Sequence, residues 1–208
     1  MKKFELTSET RVHLGTTLYR IKALISFGDV SAGDLGGFVE KEENLDQSGN
    51  AWVYGNAWVS GNAWVSGNAR VSGNAWVSGN ARVYGNARVS GNARVYGDAR
   101  VSGNARVSGN AWVSGNAWVS GNAGVSGDAM VDKIGAIFWV GAVGSRNDTT
   151  TFFKCKDGKV RVTCGCFFGD LTEFAEKVNE THGDNEHGKV YMLAIEMAKA
   201  RISLEGER

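Results

Sequence analysis

The stretch Gly49-Asn50-Ala51-Trp52-Val53-Tyr54-Gly55-Asn56-Ala57-Trp58-Val59-Ser60 writes one six-residue unit twice, Gly-Asn/Asp-Ala-x-Val-x, and that unit recurs fourteen times without insertion as far as Asp132. A fixed short period marks a solenoid, in which each unit is stable only when stacked on its neighbours. Ala and Val lie two residues apart, so on an extended segment both point to one side. The residue between them and the residue after Val point away. Gly and Asn/Asp tolerate turn geometry with positive φ and let the chain change direction every six residues. The unit therefore encodes a coil of short flat strands around a small apolar interior.

This pattern resembles the left-handed parallel β-helix of the hexapeptide-repeat superfamily, where an aliphatic residue, two turn residues and a small inward residue recur at the same spacing. The resemblance implies the left hand, a triangular section and three units per coil. Units eighteen residues apart then stack, and fourteen units make between four and five coils. The segment before the rod adds to it. Val30-Ser31-Ala32-Gly33-Asp34-Leu35-Gly36-Gly37-Phe38-Val39, followed by Asn44-Leu45-Asp46-Gln47-Ser48, is similar to the entry segment of bacterial and phage proteins labelled hexapeptide transferases, whose activity is unassigned. On that basis Leu45 takes the inward Ala position of a degenerate unit, and Phe38 and Val39 plug the open end.

Three units per coil sort the variable residue between Ala and Val into three faces. The first carries Trp52, Arg70, Arg88, Arg106 and Gly124; the second Trp58, Trp76, Arg94, Trp112 and Met130; the third Trp64, Arg82, Arg100 and Trp118. Two accounts of these stripes stand side by side. Arg and Trp can lie flat on the rod, guanidinium on indole, and simply cover it. Alternatively, outward Trp ladders form the apolar patches that mark interfaces, and the Arg meet acidic or phosphate groups on a partner. The candidate binding residues are Arg70, Arg82, Arg88, Arg94, Arg100, Arg106, Trp58, Trp64, Trp76, Trp112 and Trp118.

The chain has 208 residues, 42% of them hydrophobic, and a net charge of +1. The rod carries six Arg, no Lys and three Asp, a net +3 against −2 for the remainder, milder than the basic excess of most nucleic-acid binders. Nucleic acid is therefore a possible but not the favoured partner, although Arg beside aromatics suits single strands. No apolar run approaches the ~18 residues of a membrane span, and Met1-Lys2-Lys3 leads into Phe-Glu-Leu rather than a signal-peptide core. These features predict a cytoplasmic protein that contacts no membrane. Three cysteines without a secretion signal predict reduced thiols.

Around the rod, residues 1–48 read as an N-terminal β cap, with Arg11–Leu14 and Leu18–Ile25 as a hairpin about Gly15-Thr16-Thr17. Residues 133–208 read as a C-terminal α+β domain of three strands and two helices. The strands are Ile134–Val143 and the pair flanking Asp157-Gly158, with Phe153, Cys155, Val160, Val162 and Cys164 on one face. Asp170 and Glu173 form a capping box for a first helix. A second helix over Val190–Ile202 carries Val190, Leu193, Ala194, Met197 and Ala198 on one side. Cys155, Cys164 and Cys166 with His182 and His187 offer a thiolate-imidazole metal set, or ordinary small core residues on a strand.

Enzymes of the hexapeptide superfamily typically use a His as general base near a subunit boundary, often with a loop extruded from the coils. This rod has neither, and the three metal-binding His of its carbonic-anhydrase relatives are missing as well. The histidines, His13, His182 and His187, all lie outside it. The sequence therefore predicts a mainly β protein, a left-handed parallel β-helix over 49–132 with terminal domains, that binds rather than catalyses and needs no cofactor. By resemblance it is phage or prophage derived. It forms a homo-oligomer, its Arg/Trp faces packed between subunits or presented to a host or phage protein, for instance as inhibitor of a host defence complex. An acyltransferase completed between subunits, with His13 as base, is the alternative, and an end-to-end polymer the third class.

Overall fold

The computed structural model of the chain describes residues 1–202. The repeats form fourteen two-residue strands at six-residue steps, from β4 (Trp52–Val53) to β17 (Met130–Val131). Each from β4 to β14 pairs in parallel, Val on Val, with the strand eighteen residues on. The result is a parallel β-solenoid with three ladders, one for each face. Every Ala and Val of the repeat is at most 1% exposed. The repeat glycines all hold φ between 57° and 72°, where an L side chain is strained. At Gly73 a Cβ would also stand 2.9 Å from the Gly91 carbonyl oxygen of the next coil.

In this stack the N–H groups of Asn, of the residue after Ala and of the residue after Val donate to carbonyls of the following coil, as from Asn50 N to Gly67 O (2.8 Å) and from Trp52 N to Ala69 O (3.0 Å). Ala N–H groups bond within their own coil, as from Ala63 N to Ser60 O (3.3 Å). The first coil is consequently left with carbonyls to satisfy, and the last with N–H groups. The N-terminal segment satisfies the first coil one face at a time. On the first face the Lys3 ammonium donates to Ser48 O (3.2 Å) and Ala51 O (3.0 Å). On the second, strand β3 (Leu35–Val39) pairs in parallel with the rod, and Phe38 N reaches Ala57 O. On the third, the fully buried Asn44 donates from Nδ2 to Gly61 O (3.0 Å) and Ala63 O (2.9 Å).

Strands β1 (Phe4–His13) and β2 (Thr16–Ala23) form the expected hairpin and extend the second-face sheet beyond β3. Two expectations for this end need correcting. Val39 pairs with Val59 and points inward, but Phe38 pairs with Trp58 and lies outward, its ring under the guanidinium of Arg11 at 4.2 Å. Leu45 bridges to Val65, so it fills the inward Val position rather than the Ala position. Both follow from a register two residues off the strict eighteen, since Phe38 stands opposite Trp58 and Leu45 opposite Val65. Gly36 and Gly37 let this segment cross the mouth of the rod, where side chains would collide with Trp52 and Val53.

Beyond a 3-10 turn (Ile134–Ala136), the C-terminal domain is a four-stranded antiparallel sheet of β18 (Ile137–Val143), β19 (Asp148–Lys154), β20 (Val160–Cys164) and β21 (Phe167–Asp170), with α1 (Leu171–His182) and α2 (Glu186–Arg201). It has one strand more than expected, the short β21 that runs into the predicted capping box at Asp170. Cys155 N bonds Lys159 O around a three-residue loop closed by Gly158 at φ +80°. The sequence predicts a two-residue turn at Asp157-Gly158, and the one-residue difference moves side chains to the other face of a strand. Phe152 therefore pairs with Val162 on the helix side, while Phe153 and Cys155 face the rod core.

Helix α2 also differs from expectation. It starts at Glu186 and buries Tyr191, Ala194, Ile195, Ala198 and Ile202. Val190, Leu193 and Met197 are exposed. Tyr191 decides the rotation, because its ring packs edge-on against Phe174 at 5.6 Å.

Candidate functional site

The second face of the solenoid is occupied by its own residues. Trp58 and Trp76 stack at 4.7 Å with planes 9° apart. The Arg94 guanidinium lies 5.7 Å over Trp76 and 5.3 Å over Trp112, and the Lys156 ammonium 4.4 Å over Trp112. At the other end His13 meets Trp58 edge-on at 4.0 Å. One column of rings and cations thus runs from the N-terminal hairpin to the C-terminal sheet. Of the candidate binding residues, Trp58, Trp76, Trp112 and Arg94 are placed inside this column.

On the first face Trp52 is 1% exposed under Phe4 and Phe27. Arg70 donates to Asp29 at 2.7 Å, and the Tyr54 hydroxyl donates to the same carboxylate at 3.0 Å. Those contacts hold the Asp29 carboxyl below its usual range, the Tyr54 bond first and the Arg70 charge after it, and burial together with Asp29 pushes the Tyr54 phenol up to about 12. At the far end Gly124 donates its N–H to Thr151 Oγ1 (3.1 Å) and accepts from Thr163 Oγ1 (2.8 Å). This docks the C-terminal sheet on the last coil. Sequence reading gave Gly124 no role, although a Gly in an otherwise Arg/Trp column was the signal.

The third face is different. Trp64 and Trp118 are 40% and 47% exposed, at its first and last rungs, with Arg82 and Arg100 exposed between them. Among the described residues neither terminal domain buries these rings. A single side-chain bond, from Trp118 Nε1 to Ser102 Oγ at 3.2 Å, fixes the outer indole. Arg82, Arg100 and, on the first face, Arg88 and Arg106 form no ion pair, hydrogen bond or ring contact among the described residues.

The Cys/His set is not gathered in one place. Cys155 is buried against the rod, and burial pushes its thiol up to about 11. Cys164 faces the helices, accepting from Thr150 Oγ1 (3.2 Å) beside the Tyr191 hydroxyl (3.7 Å), while Cys166 is exposed in a turn. His182 lies against Tyr191 and His187, each at 5.7 Å. Among the described residues no three His, Cys, Asp or Glu side chains stand close enough to hold a metal. Nor is any described helix long and apolar enough to cross a membrane.

The solenoid also carries the likeness to known proteins. Eight overlapping segments, 51–67, 63–79, 75–91, 81–97, 87–103, 93–107, 99–115 and 105–121, match a family model described as the YdcK Beta solenoid repeat. None of the curated proteins compared with the chain matches it.

Proposed function

We propose that this chain is a non-catalytic binding protein, its coils wound left-handed as in the hexapeptide-repeat superfamily, that recognises a protein partner through the third face of its solenoid. The exposure of Trp64 and Trp118 on either side of Arg82 and Arg100 carries this reading. Exposed aromatic and Arg side chains on a rigid surface are the composition of binding hot spots. On the second face the same residue types are consumed by each other, so the Arg/Trp chemistry divides between structure and recognition. A rod presents the four side chains at fixed spacing and loses little entropy on binding.

Self-association is assigned to α2 rather than to the Trp ladders. Val190, Leu193 and Met197 lie exposed on one side of that helix. Asp184 and Glu186 stand at its start and Arg201 at its end, where Lys199 is paired with Glu196 at 2.8 Å. A second copy laid antiparallel brings these opposite charges together.

The test of recognition is capture from a lysate of the native host on the immobilised chain. Proteins retained by the wild type are expected to be lost with Trp64→Ala/Trp118→Ala and kept with Arg94→Ala. Equal retention by the first variant overturns the assignment to the third face.

A further inference from the structure

The three corners of the solenoid are not electrostatically equivalent. Asn50, Asn68, Asn86, Asn104 and Asn122 form one amide ladder, each Nδ2 donating to the next Oδ1 at 2.9–3.0 Å. This corner joins the third face to the first, because each of these residues precedes a first-face strand. The other two ladders each contain an aspartate, with Asn80 donating to Asp98 at 3.0 Å and Asn110 to Asp128 at 3.3 Å. The corner without acid is flanked by Arg82 and Arg100 on one side and by Arg88 and Arg106 on the other.

These four guanidiniums have no ion pair or ring contact among the described residues, although Arg106 shares a cavity with Asp148. Their neighbour Arg70 is paired with Asp29, and Arg94, itself exposed, has its charge engaged by the rings of Trp76 and Trp112. Arg82 is in register with Arg100, and Arg88 with Arg106, on adjacent rungs. Rungs are about 4.8 Å apart, so each pair sets two like charges side by side. A carboxylate between them relieves the repulsion and accepts the planar donors of both groups.

We propose that this edge binds an acidic protein segment, its carboxylates bridging Arg82/Arg100 and Arg88/Arg106 across the Asn86–Asn104 amides while its apolar residues rest on Trp64 and Trp118. The proposal rests on the reading of the third face as a protein-binding surface and extends the footprint round the corner. The span suits a short stretch of chain. Trp64 and Trp118 stand three rungs apart, about 14 Å, the length of roughly four extended residues. Protein is favoured over nucleic acid because the basic zone is only two rungs long. Aspartates occupy the other two corners and the chain's net charge is +1, whereas nucleic-acid surfaces carry an extended basic field.

The experiment is fluorescence anisotropy on the full chain with three labelled probes: a twelve-residue Glu/Leu peptide, its Gln/Leu counterpart and a twenty-nucleotide oligothymidylate. The Glu/Leu peptide is expected to bind, to bind more weakly as salt rises, and to exceed the Gln/Leu peptide at least tenfold. Arg88→Gln/Arg106→Gln, which leaves the third face intact, is expected to weaken it at least tenfold with β circular dichroism unchanged. Absence of Glu/Leu binding, equal binding of the two peptides, preference for oligothymidylate, or an unaffected Arg88/Arg106 variant each overturns the proposal. The two readings fail separately. Loss on Trp64→Ala/Trp118→Ala with no loss on the Arg88/Arg106 change sinks the edge alone, and the reverse pattern sinks the third face.

Discussion

The ammonium of Lys3 donates to the carbonyl oxygen of Ala51 at 3.0 Å, taking the place of a backbone N–H from a coil that does not exist. A side chain 48 residues away thereby closes the edge left by parallel stacking. Lys3→Met is expected to lower stability by ~1–3 kcal/mol, the cost of leaving buried carbonyls without donors. Chemical denaturation of the two proteins at neutral pH checks this.

The same lysine gives a pH signature. Burial lowers its pKa from 10.5 to about 8, partly offset by Asp46. Between those values the unfolded chain binds more protons than the folded one, so the contribution of Lys3 to stability rises with pH across that window. The wild type should therefore gain on Lys3→Met between about pH 8 and 10.5. A difference that stays flat or shrinks would contradict the assignment.

Arg94 sits between two indoles, and each contact contributes roughly 0.5–1 kcal/mol. Arg94→Ala is expected to cost ~1–2 kcal/mol in thermal or denaturant unfolding while leaving partner capture unchanged. A variant that keeps its stability but loses capture would return the second face to the binding surface.

Gly124 breaks the Arg/Trp column where the C-terminal sheet docks. A Cβ there would stand 3.6 Å from Thr163 Oγ1, an ordinary contact, but a longer side chain would displace β20. Gly124→Ala should cost less than about 1 kcal/mol, whereas Gly124→Arg, which restores the repeat, should cost ~1–3 kcal/mol through overpacking. Hydrogen exchange should show the loss concentrated in β19 and β20.

Thiol accessibility follows the three positions of the cysteines. Cys166 is exposed and should react within seconds with a thiol reagent. Cys155, buried with its thiol raised to about 11, and Cys164, held between Thr150 and Tyr191, should react slowly. A fast Cys155 under native conditions would contradict the packing of the C-terminal sheet on the rod, and a fast Cys164 its packing against the helices.

The rod was legible in the sequence because every unit meets the same neighbours, so spacing alone fixes which residues point inward. The ends were less so. Lys3, Asn44 and Gly124 act on partners remote in sequence, and no local pattern announces them. The hairpin at Asp157-Gly158 was recognised, but one extra loop residue reversed the faces of Phe153 and Cys155. In α2 the aromatic ring of Tyr191 outweighed the aliphatic stripe of Val190, Leu193 and Met197. The three Arg/Trp stripes were equally readable. Their division was not, because His13 and Lys156 cap the second-face column from the two terminal domains.

The division between a structural second face and a recognising third face is tested most directly by placing a photo-crosslinking amino acid at Trp118 or, separately, at Trp112 and irradiating cells that express the chain. Position 118 should yield a discrete crosslinked protein and position 112 crosslinks within the chain alone. A foreign crosslink from 112 with none from 118 would contradict the account.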